Sequence, residues 1–179
     1  MTNIEKLSER LSLLEADSNI KALKYRYWNA CDSKNPNDIL KCFDDGEVSI
    51  DYEDFGVFSS SLDMVNKFKV NSCYPHLIEQ HAGKNPVIRF ISCDQAKGSW
   101  SMVYSLEDTQ KLISLTLTGI YDDLYVKKKN GSWKIKETTF RKSGTYYRSK
   151  TEKNYLITLK VRWILTEQNI KFFPQVRLV

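Results

Sequence analysis

The first thirty residues have the apolar spacing of amphipathic helices. In the first stretch apolar residues recur at intervals of three and four, which predicts a helix with one apolar stripe: Ile4, Leu7, Leu11 and Leu14. Asp17 or Ser18 is suited to cap a second helix. The apolar positions of that second helix again share one face: Ile20, Leu23, Tyr27 and Cys31. We therefore expect two consecutive helices here.

A short helix, a strand and a further helix are predicted next. Pro36 stands at an early helical position and opens a short helix that Asp44-Asp45-Gly46 ends. Alternating apolar residues predict a strand from Val48 to Tyr52. Serines at positions 59–61 open another helix, and its inward-facing residues are expected to be Leu62, Val65 and Phe68.

The second half of the chain has the alternation of β-strands. We expect strands over residues 87–92, 98–106 and 113–125, and a partner strand from Trp133 toward Phe140 after the Asn130-Gly131 turn signal. Two further strands are predicted over residues 155–165 and 169–178. Helices followed by antiparallel strands indicate an α+β fold instead of alternating βαβ units.

Composition and charge narrow the class of protein. The chain has 179 residues, of which 41% are hydrophobic and 27% charged, as in one ordinary globular domain. It has neither a long apolar run nor a signal sequence, so we expect a single domain over residues 1–179 that is soluble and cytoplasmic, with no membrane partner.

Residues 126–179 carry 14 Lys and Arg against 3 Asp and Glu. This basic segment raises the alternative of nucleic-acid binding, but no nucleic-acid-binding motif accompanies it, so we expect no such partner.

Candidate chemistry is sparse. The four cysteines lack the spacing of a zinc site or a disulfide scaffold, so we expect neither: Cys31, Cys42, Cys73 and Cys93. His76 lies in a loop-like stretch, whereas His81 immediately precedes a predicted strand, from which its side chain can project into a cavity. Tyr27 and Asp32 are five residues apart, about 140° around an unbroken helix, so they converge only if the helix ends near Cys31. Otherwise Asp32 is a residue that ties down the following loop.

Several segments resemble SnoaL-like proteins of the nuclear transport factor 2-like superfamily. The first is residues 20–34, a helix carrying Tyr27 with Asp32 five residues later. The similarity continues in order through residues 81–86, 96–100, 119–125 and 131–135, and spans about residues 4–148. It implies a curved antiparallel sheet wrapped by helices into a cone around a pocket. Residues 149–179 are a basic extension without a counterpart, and we expect them to add strands.

Within that superfamily the chain is most similar to the bile-acid 7α-dehydratase branch, which is related to scytalone dehydratase. Tyr27, Asp32 and His81 match the catalytic Tyr, Asp and His of that branch. The resemblance implies that His81 acts as base and then acid, that Asp32 orients it, and that Tyr27 donates a hydrogen bond to a substrate oxygen. Dehydration next to a carbonyl needs these three roles in a water-poor pocket.

The sequence departs from this branch at two positions. Tyr104 stands where the branch has a second acidic residue, and Tyr cannot act as a carboxylate at neutral pH. Lys142, with Arg141 beside it, stands where the branch has Arg, and Lys cannot reproduce a bidentate Arg contact. These changes indicate another substrate, another reaction such as isomerisation, or a binding protein that keeps only the pocket.

The expected ligand is a small hydrophobic or aromatic molecule. Aromatic residues are numerous, and we expect Trp100, Tyr104 and Tyr121 to bind substrate together with Arg141 and Lys142. The leading hypothesis is a lyase or isomerase for a hydrophobic or polycyclic hydroxy or carbonyl compound, without cofactor or metal. The alternative is a non-catalytic binding or assembly domain. We also expect a homo-oligomer, a dimer or trimer in which another copy covers the open sheet face.

Overall fold

The computed structural model of the protein describes residues 2–149. The strands expected over residues 155–165 and 169–178 lie outside the described residues. The helices are α1 (Asn3–Asp32), α2 (Pro36–Cys42), a short 3-10 helix (Glu53–Phe55) and α3 (Ser61–Ser72). The strands are β1 (Ser49–Asp51), β2 (Val57–Phe58), β3 (Leu77–Phe90), β4 (Gln95–Asp108), β5 (Ile113–Lys127) and β6 (Trp133–Ser149). Helices therefore come first and long strands follow, which confirms the α+β prediction.

A single continuous helix replaces the two helices expected before residue 33. Thr2 caps α1, and Glu5 returns a hydrogen bond to the Thr2 backbone in a capping box. Asp17, which was expected to begin a second helix, instead forms an ion pair with Lys21 one turn later, with Nζ and Oδ2 2.7 Å apart. No Gly or Pro interrupts these thirty residues, so the helix continues to Asp32.

The two later helices begin as predicted. Asn35 and Ser60 cap α2 and α3 through their side chains. Val65 and Phe68 of α3 are buried, whereas Leu62 is 52% exposed, so its predicted inward position is wrong. The N-terminal end of α3 therefore points toward solvent.

Within residues 2–149 the six strands form one curved sheet in the order β2-β1-β6-β5-β4-β3. Neighbours are antiparallel, except that β1 runs parallel to β6. Strand β3 begins ten residues earlier than the predicted strand start at residue 87, at Leu77. The Asn85-Pro86 pair, which resembles a loop in sequence, forms a β-bulge, and Asn85 has a φ of 53°. Because β3 lies at the edge of the described sheet, a proline is tolerated there.

Two further bulges determine which residues of β6 face the interior. The pairing with β5 skips one residue after Ile135 and another after Lys142. Trp133 and Ile135 are buried before the first bulge, Thr138 is buried between the two, and Thr145 is buried after the second. The inward-facing residues are therefore odd-numbered before the first bulge, even-numbered between the two bulges and odd-numbered again after the second, because each bulge adds one unpaired residue. Consequently Lys142 faces the interior and Arg141 faces outward.

The core lies between the inner face of the sheet and the second half of α1. Ile20 and Leu23 of α1 are at most 1% exposed, and Trp100 and Tyr125 of the sheet are fully buried. Tyr121, Asp123 and Tyr125 share the buried face of β5, as their alternation predicts. This packing places the end of α1 directly over β3.

Candidate active site

A cavity of about 340 Å³ opens between the sheet, the 3-10 helix, α1 and α3. Its wall is mostly apolar and includes Met102, Leu115 and Phe140. The polar side chains that reach it come from α1, the start of the 3-10 helix and strands β3 to β6, and they include Tyr27, Tyr52, Glu53, Glu79, His81, Tyr104, Tyr121 and Lys142. An apolar cavity with a few converging polar groups is the usual form of a small-molecule site.

His81 and Asp32 form a hydrogen-bonded pair at one side of this cavity. The Nδ1 atom of His81 lies 2.5 Å from Oδ1 of Asp32, and the backbone N–H of His81 donates to Oδ2 at 3.0 Å. The two side chains are 13% and 24% exposed. Because Asp32 accepts from Nδ1, the Nε2 atom is the ring nitrogen left to meet a bound molecule.

The end of α1 and the edge strand together position this pair. Asp32 is the last residue of α1, about 140° around the helix from Tyr27, and its carboxylate reaches His81 in β3. Trp28, one turn earlier, packs against Gly83, where a Cβ atom would lie 2.0 Å from the indole ring. His81 lies in β3, not ahead of a strand as expected, and its side chain faces the cavity.

Glu79 is a functional candidate that the sequence analysis missed. The hydroxyl of Tyr104 donates to Glu79 Oε1 at 2.6 Å, and Lys34 forms an ion pair with Oε2. The Glu79 side chain is only 6% exposed, and Tyr104 packs against the His81 ring with centroids 4.9 Å apart. Tyr104 stands where the bile-acid 7α-dehydratase branch has an acidic residue. Strand β3 thus brings a carboxylate, that of Glu79, next to this position. Glu79 and His81 are two residues apart, a spacing that places them on one face of a strand, so an earlier start of β3 would have indicated this cluster.

Tyr27 contributes a second polar group to the wall. Its hydroxyl lies 2.8 Å from that of Tyr52, and either can donate. Burial raises the pKa of both tyrosines, so both stay protonated at neutral pH. Burial also raises the pKa of the neighbouring Cys31 thiol to about 12, so it is not a thiolate nucleophile at neutral pH.

A buried ion pair supports the wall behind Tyr121. Lys24 and Asp123 side chains are fully buried, with Nζ 2.8 Å from Oδ2, and the Lys24 ammonium lies 3.9 Å from the centre of the Tyr121 ring. Burial lowers the pKa of Lys24, and the Asp123 carboxylate opposes that shift. Tyr125 donates to Asp123, and Trp100 donates to Tyr125. Nothing in the sequence pattern distinguished Lys24 from an exposed lysine.

Two residues expected to bind substrate lie away from the cavity. Trp100 is fully buried in the core, where its indole N–H bonds to Tyr125, so its contact is with protein. Arg141 faces outward and pairs with Asp51 of the adjacent strand at 2.5 Å. Lys142 does line the cavity, and its ammonium pairs with Asp54 while its backbone N–H donates to Glu53. Tyr104 and Tyr121 also line it, as expected.

Neither a metal site nor a membrane-spanning helix is found in the part of the chain that the structure describes. Within residues 2–149 no three His, Cys, Asp or Glu side chains are grouped so that they could hold a metal ion. No helix in that part of the chain has the length and apolar character needed to cross a membrane.

Comparisons with known proteins agree with the architecture. No curated protein matches the chain significantly in sequence. A candidate scytalone dehydratase from Novosphingobium aromaticivorans superposes with a TM-score of 0.69 at 18% identity, over 87% of this chain and 98% of that one. A hexachlorocyclohexane dehydrochlorinase, LinA type 3 from Novosphingobium barchaimii, gives 0.64 at 17%, over 88% and 99%. ActVI-ORFA from Streptomyces coelicolor gives 0.62 at 5%, over 72% and 97%.

At these identities the structural likeness shows the fold alone. The sequence supplies the family, because the SnoaL-like domain matches residues 12–139. That match covers most of the chain and includes Tyr27, Asp32, His81 and Tyr104. The chain therefore belongs to the SnoaL-like domain family.

Proposed function

We propose that this protein is a cofactor-independent lyase or isomerase that moves a proton of a small hydrophobic or polycyclic hydroxy or carbonyl compound. One observation carries the proposal. The His81 imidazole lines an apolar cavity while its Nδ1 atom is hydrogen-bonded to a carboxylate at 2.5 Å. A histidine held in one orientation by a carboxylate is a competent general base and acid near neutral pH.

The steps of a dehydration can be written with these groups. Nε2 of His81 takes a proton from the carbon next to the carbonyl, and the C–H electron pair forms the new C=C bond. The hydroxyl on the following carbon leaves with its bonding electrons and receives the proton from the imidazolium, so water is released. Asp32 stabilises the imidazolium between the two transfers. In an isomerisation the imidazolium returns the proton to a different carbon.

The tyrosines supply hydrogen bonds to the oxygen that gains charge. Tyr27 and Tyr52 share one hydrogen bond, so the hydroxyl that accepts it keeps its own O–H for a ligand. Their raised pKa values keep both groups protonated as donors. Such donors in a water-poor cavity stabilise a developing enolate. Lys142 lines the same cavity, where its ammonium is paired with Asp54.

The names of two structural relatives are consistent with this chemistry. A dehydratase removes water and a dehydrochlorinase removes hydrogen chloride, and each reaction takes a proton and a leaving group from neighbouring atoms. A reaction of this class in the present chain needs the same two events, and His81 is suited to the first of them.

A specific observation favours the alternative of a non-catalytic binding domain. Both oxygens of Glu79 are already engaged, one by Tyr104 and the other by Lys34. A leaving hydroxyl then has His81 as its proton donor, and Glu79 is not free to serve as a separate acid. A protein that only binds an aromatic or polycyclic molecule needs no such acid.

Exchange of substrate protons with solvent tests the proposal. The 179-residue protein is incubated in deuterium oxide with a panel of aromatic and polycyclic β-hydroxy ketones, and NMR follows deuterium entering next to the carbonyl and any dehydrated or isomerised product. We expect exchange or product with the parent protein and a loss of at least about 100-fold in His81→Gln, since general acid–base catalysis contributes that much.

His76→Gln is the matched control, because it removes the other histidine and leaves the cavity intact. It should keep the parent rate. Saturation-transfer NMR on the same compounds separates binding from chemistry. Compounds that bind in the cavity without exchange or product, in parent and His81→Gln alike, would identify a binding domain and overturn the lyase or isomerase assignment.

A further inference from the structure

The first half of α1 presents an apolar stripe to solvent. The stripe, here called the N-terminal seam, consists of four residues that are 55–81% exposed: Ile4, Leu7, Leu11 and Leu14. The first buried residue of α1 is Ala16. Four large aliphatic side chains in a row at helical spacing exceed the scattered exposed apolar residues of ordinary surfaces. The seam is therefore a candidate interaction surface.

The seam lies on the side of α1 opposite to the side that packs on the sheet. Leu11 and the fully buried Ile20 are nine residues apart, about 900° around the helix, which leaves them half a turn from each other. Leu14 and the buried Leu23 have the same separation. No bending of a continuous helix brings both faces against the described core. Any group that covers the seam must therefore come from outside the described core.

The helix also gains little support from its own domain in this region. Residues 3–15 include no buried side chain, and an isolated helix of that length is marginal in water. Yet the capping box of Thr2 and Glu5 marks a defined helix start. A defined start on an unsupported helix is typical of a segment that packs against a partner.

We propose that the N-terminal seam pairs with the seam of a second copy of this chain, as a short parallel two-stranded coiled coil. In the seven-residue repeat of a coiled coil, whose positions are labelled a to g, apolar residues occupy positions a and d. The intervals of three, four and three residues in the seam are those between alternating a and d positions. Ile4 and Leu11 take a, and Leu7 and Leu14 take d. The next a and d positions are Ser18 and Lys21, so the seam ends where the domain begins.

Charge complementarity selects the second copy and its direction. In this register Arg10 occupies position g and Glu15 the following position e. A parallel pair places each Arg10 next to the partner's Glu15, in two equivalent contacts. An antiparallel pair that aligns the seams would bring Arg10 opposite Arg10. Because each domain lies on the far side of its own helix, the two domains do not obstruct a parallel pair.

This contact differs from the sheet-face contact expected from the sequence, and it involves a region that largely precedes the family match. The SnoaL-like match begins at residue 12, after three of the four seam residues. The contact is therefore a property of this chain that the family fold does not require.

Sedimentation equilibrium of the 179-residue chain tests the proposal. We expect the parent to be dimeric, and we expect Leu11→Glu to raise the dimer dissociation constant at least about 100-fold, because an a position would carry two facing charges. Leu13→Glu makes the same change off the seam and should leave the dissociation constant unchanged. Arg10→Glu and Glu15→Arg should each weaken the dimer, and the two changes together should restore it.

Disulfide trapping tests the direction. In a Cys93→Ser background, Leu14→Cys should cross-link two copies under mild oxidation, since identical d positions face each other only in a parallel pair. Leu13→Cys should not. A monomeric parent, or an oligomer whose mass is unchanged by Leu11→Glu, overturns the proposal. So does a result in which Leu11→Glu lowers the thermal stability of a monomer, which would mean that residues 150–179 of the same chain cover the seam.

Discussion

The indole of Trp28 occupies the place that a Cβ atom of residue 83 would take. A Cβ at Gly83 would lie 2.0 Å from two ring atoms, which is too close for any side chain. Trp28 belongs to α1 and Gly83 to β3, so this contact sets how near the helix approaches the strand. Asp32 lies one turn beyond Trp28, and His81 lies on the same face of β3 as Gly83. The contact therefore also sets the distance between Asp32 and His81.

Gly83→Ala should displace α1 from β3. We expect it to lower the free energy of unfolding by about 1–3 kcal/mol, because an added methyl group must push the indole away. Urea denaturation measures the loss. Gly46→Ala is the matched control, since a Cβ there meets neighbours at ordinary distances of 3.7 Å and 4.0 Å. Equal stability of the two variants would contradict the tight contact.

Asp32→Asn should change which nitrogen of His81 carries the proton. In the parent protein the carboxylate can only accept, so the neutral ring keeps its proton on Nδ1. The asparagine amide can instead donate to Nδ1, which favours the tautomer with the proton on Nε2. Long-range ¹H–¹⁵N correlation spectra distinguish the two tautomers.

The chain has two histidines, so the spectrum contains an internal control. The signals of His76 should be the same in parent and variant. A His81 ring with its proton on Nε2 in the parent, or the same tautomer in both proteins, would contradict the hydrogen bond between Asp32 and Nδ1.

Glu79 and Tyr104 should contribute to stability as a unit. A hydrogen bond from a hydroxyl to a largely buried carboxylate is worth about 1.5–3 kcal/mol, so Glu79→Gln and Tyr104→Phe should be non-additive by about that amount. Urea denaturation of the two single variants and the double variant measures the coupling. A double-mutant cycle of Tyr104→Phe with Glu47→Gln serves as control, and its effects on the free energy of unfolding should be additive. Additivity in both cycles would mean that Tyr104 and Glu79 do not interact.

The Lys24–Asp123 pair should be costly to break on one side. Lys24→Met leaves the Asp123 carboxylate buried without its cation, and we expect a loss of about 3–5 kcal/mol in the free energy of unfolding. The double variant Lys24→Met with Asp123→Leu should lose less than the two single variants combined. Thermal and urea unfolding provide the values.

An exposed pair provides the comparison. Lys41 and Asp38 are 74% and 50% exposed in their side chains, so Lys41→Met should cost at most about 1 kcal/mol. A similar loss from Lys24→Met would show that Lys24 reaches water.

Alkaline pH should unfold the protein through its buried tyrosines. Burial raises the folded-state pKa of five of them: Tyr27, Tyr52, Tyr104, Tyr121 and Tyr125. Below the unfolded-state pKa of about 10 both states are protonated and this contribution to stability is complete. Above it the unfolded chain loses protons first, so stability falls as the pH rises. Tyrosinate absorbance and circular dichroism should therefore change together for this fraction of the tyrosines. Complete tyrosinate formation with an unchanged circular dichroism spectrum would contradict their burial.

The sequence predicted the order of the main helices and strands and most of the inward-facing positions, but not the joining of the first two helices, the 3-10 helix Glu53–Phe55 or strand β2. Alternation identified the buried face of β5, and Pro36 and the serines at positions 59–61 marked helix starts correctly. It was misleading at Asp17, where a good capping residue lies inside a helix because neither Gly nor Pro stops the helix there. It was misleading again at Asn85-Pro86, because a bulge on an edge strand has the composition of a loop.

The site was harder to predict because its contacts join distant segments. The approach of Asp32 to His81 depends on where α1 ends and on the packing of Trp28. Glu79 becomes part of the cavity only when β3 is extended back to Leu77. Arg141 and Lys142 are adjacent in sequence, and bulges that leave no signature in composition decide which of them faces inward. The buried position of Lys24 depends on Asp123, ninety-nine residues away.

The two bulges in β6 are also positions at which this strand can lose a residue. Loss of Ser143 would leave Lys142 opposite Gly119 and Gly144 opposite Thr118, which are the pairs they already form. Elsewhere in a sheet the loss of one residue turns every later side chain to the other face. At a bulge the strand can shorten by one residue and keep its cavity-facing positions. Strand β6 can therefore accept single-residue deletions at its two bulges while the wall of the cavity is preserved.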